Sequence, residues 1–137
     1  MIPHYRLDNN VIIFSLFPGI REDLIRHIIH TPNLKAIVMR TFGSGNAPQS
    51  TWLLRALKEG TANGKVIVNI SQCLQGAVEM SRYDCGYHLQ EAGVISGRDM
   101  TVESAVTKLM FLQSHYPDAP ETVRQLMQQS IRGEMTI

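Results

Sequence analysis

Apolar and polar positions along this chain switch repeatedly between two periods. Residues 11–17 form a short β-branched and aromatic run stopped by Pro18-Gly19, which predicts a strand buried on both faces. Over residues 20–30 the spacing changes: Ile20, Leu24, Ile25, Ile28 and Ile29 share one helical face, and Arg21, Glu22, Asp23 and Arg26 fall mostly opposite. An amphipathic helix follows, ended by Thr31-Pro32-Asn33. Residues 35–40 predict a second strand. A second helix spans about residues 48–61, with Trp52, Leu53, Ala56 and Leu57 inward. Asn46 and Gln49 have capping-box spacing, Pro48 suits a first turn, and Ala62-Asn63-Gly64 closes the helix. Residues 65–70, Lys-Val-Ile-Val-Asn-Ile, predict the third strand.

Strand, helix, strand, helix, strand at short loop lengths predicts parallel pairing through right-handed crossovers. Residues 71–86 are less regular. Residues 87–92 predict a short helix ended by Gly93, and residues 94–96 a short extended piece. Two helices close the chain. One spans about residues 102–115 with Val102, Ala105, Val106, Leu109 and Met110 on its inner face. The other spans about 119–131 with Val123, Leu126 and Met127 inward, Asp118 and Glu121 having capping-box spacing. The fold class is α/β: a small three-layer Rossmann-like domain, with a short parallel sheet of about four strands flanked by helices. Residues 1–10 read as a linker remnant or arm, and 11–137 as one domain.

Composition narrows this little. With 137 residues, 44% hydrophobic and 18% charged, the chain can build one core. A net charge of +1, without basic runs, argues against nucleic acid or an anionic membrane as partner. The apolar runs are too short to span a bilayer. Cys73 and Cys85 form no CxxC and no zinc spacing, so reduced thiols in a cytoplasmic protein are expected.

Candidate chemistry concentrates after the second strand. Arg40 is followed by a turn containing Gly43 and Gly45, then by Asn46-Ala-Pro48 at a helix start. In an open α/β sheet, ligands bind at such carboxyl ends. Parallel strands would bring together three exits: Pro18-Gly19, residues 40–46, and Ser71-Gln72-Cys73. Arg40 can hold a carboxylate through paired hydrogen bonds, and Ser71, Gln72 and backbone N–H groups can satisfy the rest of a small polar ligand. The competing readings are structural: Arg40 paired to a nearby acid, Asn46 as a helix cap, Cys73 as a buried thiol without a His or Asn partner. Proline at position 48 removes the third glycine of a dinucleotide loop. His27, His30, His88 and His115 are scattered and further ligands are not evident, so no metal is expected.

Several segments resemble one enzyme family. They are Phe-Pro-Gly-Ile at 17–20, Arg-Thr-Phe-Gly-Ser-Gly-Asn-Ala-Pro at 40–48 and Val-Ile-Val-Asn-Ile-Ser-Gln-Cys at 66–73. Gly-Val-Ile-Ser-Gly at 93–97, Asp-Met-Thr-Val-Glu at 99–103 and Arg-Gly-Glu-Met-Thr at 132–136 continue the series. From about residue 11 onward the chain is similar to the carboxy-terminal domain of the type I (cytoplasmic) bacterial L-asparaginases.

That resemblance implies hydrolysis of L-asparagine to L-aspartate and ammonia by the parent enzyme, without metal or organic cofactor. It places the threonine nucleophile in an amino-terminal catalytic domain, whose Thr-Gly-Gly-Thr and Thr-Asp motifs have no counterpart in a comparable setting here. It therefore implies a domain inactive alone, a catalytic-domain partner and a homo-oligomer. By the same resemblance, Arg40, Ser71, Gln72 and Cys73 correspond to a site for L-asparagine as allosteric effector. The family commonly has threonine where this chain has Ser71. Asn46 corresponds to a residue reaching a neighbouring subunit's active site. A stand-alone amino-acid-binding module, or a non-binding structural fragment, is the alternative.

Overall fold

The computed structural model describes residues 9–16, 19–41, 51–71, 89–97 and 100–129, with Thr41 and Ser71 described in their backbone alone. Four strands form one sheet in the order β1 (Val11–Ser15), β2 (Ala36–Thr41), β3 (Val66–Ser71), β4 (Ile95–Ser96). Every pairing is parallel, as the element order predicted. Helices α1 (Glu22–Ile29) and α2 (Thr51–Ala62) pack on one face; α3 (Val102–His115) and α4 (Pro120–Met127) pack on the other. This is the expected three-layer α/β arrangement.

Strand alternation divides the core in two. Phe14, Leu16, Ile37, Met39 and Ile67 join Ile25, Ile29, Leu53 and Leu57 on the α1/α2 side. Ala36, Val38, Val66, Val68, Ile70 and Ile95 join Ala105, Leu109, Leu112, Val123 and Met127 on the other. β-branched residues dominate the central strands because both of their faces are covered. Gly64, at φ +86°, supplies the left-handed turn that ends α2.

Four local expectations are corrected. β1 is not buried on both faces, because it is an edge strand and Ile13 remains 43% exposed. Leu24 is 46% exposed: α1 rests on Ile25 and Ile29, and nothing covers the flank that carries Leu24 among the described residues. The inner stripe of α3 also lies off the expected positions. Lys108, Leu112 and Gln113 are buried with Ala105 and Leu109, whereas Val102, Val106 and Met110 are only partly covered. Lys108 reaches the end of α4, where its ammonium donates to the carbonyls of Met127 (3.5 Å) and Gln129. A cation is favourable at these unsatisfied carbonyls. Finally, the N-cap of α4 is Ala119 and carries no side-chain cap, so Asp118 does not start the helix. Thr101 does cap α3, accepting a hydrogen bond from the Ser104 N–H at 3.0 Å.

No helix among the described residues is long and apolar enough to cross a membrane.

Candidate functional site

Parallel strands end together, so β1, β2 and β3 deliver their carboxyl ends to one edge of the sheet. Arg40 is in register with Ser15 on β1 and with Ile70 on β3, and Thr41 is in register with Ser71. The ladder continues past β1, where the Leu16 N–H donates to the Arg40 carbonyl at 2.9 Å. On the far side the Gly97 N–H donates to the Asn69 carbonyl at 2.8 Å. Arg40 and Ser71 thus stand on adjacent strands, one register step apart. Gln72, Cys73 and Asn46 lie outside the described residues.

Arg40 is partly buried, and its Nε is shielded from solvent without a hydrogen-bond partner among the described residues. The sequence left open that this guanidinium pairs with a nearby acid. No acid does so among the described residues. A buried N–H of a charged group left unsatisfied costs about 1–3 kcal/mol or more, and a carboxylate offered by a ligand removes that cost through charge-assisted hydrogen bonds. The arrangement therefore suits a small anionic or zwitterionic molecule.

Two polar residues of the edge were not singled out from the sequence. Asn69 is fully buried on β3 and is not without a partner; it is the lone polar residue of the run Val-Ile-Val-Asn-Ile. Ser15 ends the β1 run, and only the strand register shows that it faces Arg40.

The remaining described ion pairs belong to the scaffold. Arg26 donates to Glu22 (2.9 Å) and to Glu59 (3.0 Å), tying α1 to α2, while His30 Nε2 lies 3.1 Å from the same Glu59 oxygen. The His30 hydrogen bond, with help from Arg26, holds the Glu59 carboxyl below its ordinary pKa against a smaller opposing effect of burial. Asp23 is lowered to about 2, chiefly by its hydrogen bond from Arg21. Burial pulls the Lys65 ammonium down; it donates to the carbonyls of Thr31 (3.1 Å) and Leu34 (2.7 Å). A groove of about 410 Å³ opens beside Lys65, at the opposite edge from Arg40. Its Arg124 already donates to the Gly93 carbonyl at 2.6 Å, so that cation is engaged. Among the described residues no three His, Cys, Asp or Glu side chains gather as a metal site.

Residues 10–127 match the family model described as the glutaminase/asparaginase C-terminal domain. This chain belongs to that family. The family member is 42% identical over 136 residues to L-asparaginase 1 of Escherichia coli, covering 99% of this chain and 40% of that protein. It is 41% identical to the human 60 kDa lysophospholipase, across 99% of this chain and 23% of the relative. Among solved structures, L-asparaginase I of Vibrio cholerae superposes with a TM-score of 0.89 at 42% identity, over 96% of this chain and 39% of that one. The thermostable L-asparaginase of Thermococcus kodakarensis gives 0.86 at 36% identity. This asparaginase-type domain therefore spans about two fifths of the length of the Escherichia coli, Vibrio cholerae and Thermococcus kodakarensis asparaginases, and its likeness to the type I carboxy-terminal domain holds along nearly its whole length.

Proposed function

We propose that this domain carries the allosteric L-asparagine site of an L-asparaginase and contributes subunit contacts, while hydrolysis to L-aspartate and ammonia takes place on an amino-terminal domain. The observation that carries the reading is Arg40: a strand-end guanidinium, part-buried, with an unpaired Nε and no acidic partner among the described residues. In a member of this family, an amino-acid carboxylate is the natural counter-charge. Ser71, Gln72 and Cys73 complete the proposed effector site, and Asn46 extends toward a neighbouring subunit's active site. The parent enzyme is proposed to be a cytoplasmic homo-oligomer that uses no cofactor.

The chain alone is proposed to be inactive. Acyl transfer needs an activated hydroxyl, a base and an oxyanion hole in one place, and no threonine here matches the family's nucleophile motifs.

Calorimetric titration of the purified chain with L-asparagine tests the effector reading, with L-glutamine as control and Arg40→Ala as the variant. Selective binding of L-asparagine that disappears in Arg40→Ala is the expected result. Ligand at about 100 times its dissociation constant should also stabilise the fold by roughly 2.7 kcal/mol, seen as a melting shift. A folded chain that ignores L-asparagine overturns the reading. Ammonia release from L-asparagine by the purified chain would overturn the inactivity.

A second reading rests on the relatives. The same domain occurs in proteins named as a lysophospholipase and as part of a glutamyl-tRNA(Gln) amidotransferase. A binding module that has kept its fold and changed its ligand is consistent with that spread. Binding of another amino acid, with L-asparagine silent, is its signature.

A further inference from the structure

We infer that Ser15, on the edge strand β1, is a second anchor for the ligand carboxylate at Arg40. This inference rests on the reading of Arg40 as the effector's arginine and extends the site to a strand that reading does not include. Strand alternation sets the geometry. On β2, Ala36 and Val38 pack into the α3/α4 core, and Ile37 and Met39 into the α1/α2 core. Arg40 therefore projects on the α3/α4 face. On β1, Phe14 and Leu16 belong to the α1/α2 core and Val11 packs on the other. Ser15 therefore projects on the same face as Arg40.

The register places the two side by side. Ser15 is the residue directly opposite Arg40, and Ile70 is opposite Arg40 on the other flank. Neighbouring strands lie about 4.8 Å apart, so side chains at one register level on one face are in reach of a common small ligand. The Leu16-to-Arg40 hydrogen bond keeps β1 and β2 locked at this level, which fixes the spacing. Arg40 thus has a hydroxyl on one side and an aliphatic wall on the other.

Among the described residues the Arg40 Nε is buried without a hydrogen-bond partner, and Ser15 stands opposite it in register. Two adjacent donors, one charged and one neutral, match the two oxygens of a single carboxylate. An arginine kept only as a structural charge would need no hydroxyl beside it.

The test is calorimetric titration of the 137-residue chain with L-asparagine, using Ser15→Thr and Ser15→Val. The two replacement side chains are nearly isosteric and equally suited to a strand, and they differ at the hydroxyl. Ser15→Thr is expected to bind within a few-fold of wild type, and Ser15→Val about tenfold or more weakly, the loss of one hydrogen bond to a charged group. Ligand-free melting temperatures of the two variants should agree, which a purely structural serine would not require. If Ser15→Val binds as tightly as Ser15→Thr while Arg40→Ala does not bind, the Ser15 inference fails and the effector reading stands. If the wild-type chain does not bind L-asparagine, both fail.

Discussion

The hydroxyl of Thr61, in the last turn of α2, lies 2.7 Å from the carbonyl oxygen of Ala92 and donates to it. Thr61 Oγ1 is also 3.0 Å from the Lys58 carbonyl within its own helix. One proton serves both, and the shorter contact joins α2 to the segment leading into β4. Ala92 is buried, so its carbonyl has little access to water.

Thr61→Val keeps the shape and removes the donor. It should destabilise the fold by about 1–3 kcal/mol, the cost of a buried unpaired acceptor. Thr61→Ser should stay close to wild type. Urea midpoints of the three proteins decide this, and equal midpoints for Val and Ser would show that the bond contributes nothing.

Gly97 is held by crowding. A Cβ there would lie 2.7 Å from Ile70 Cγ1 and 3.2 Å from the Asn69 carbonyl oxygen. Gly97→Ala should cost about 1–3 kcal/mol through forced displacement of packed atoms. Because Ile70 is the main obstacle, Gly97→Ala combined with Ile70→Ala should be less destabilised than the sum of the two singles, by at least about 0.5 kcal/mol. A strictly additive double mutant would place the strain elsewhere.

Acid should weaken the α1–α2 junction. The Glu59 carboxyl is held below its ordinary pKa, mainly by His30. The unfolded chain therefore takes up this proton first, and stability rises with pH through that window. The contribution is complete above the unfolded glutamate value of about 4.3 and is lost as pH falls through the folded one. Asp23 extends the loss toward its own value of about 2. Glu59→Gln should flatten the dependence below roughly pH 5. Both pairs are exposed, so added salt should shrink the difference. Parallel urea-midpoint profiles for wild type and Glu59→Gln would rule the junction out as an acid-sensitive contact.

Element order, the parallel sheet and most helix limits were legible in the residues alone. Those features follow from local periods and local stops: β-branched runs, 3.6-residue stripes, and Gly64 where the chain must turn. The expected span of residues 102–115 agrees with α3. Arg40 stood out as a candidate for chemistry in the same way, from its place at the end of a β-branched run.

Which side of each element is covered depended on packing between elements. Periodicity reports the phase of a stripe, not which neighbour lies on its flank. Leu24 is therefore exposed on an otherwise buried-type face, and Lys108 is buried because the open end of α4 lies over it. Sheet order made β1 an edge and left Ile13 in solvent. The same order set Ser15 beside Arg40. No local signal joins residues so far apart in sequence: a hydrogen-bonded register creates that adjacency, and it exists only once the strands have paired.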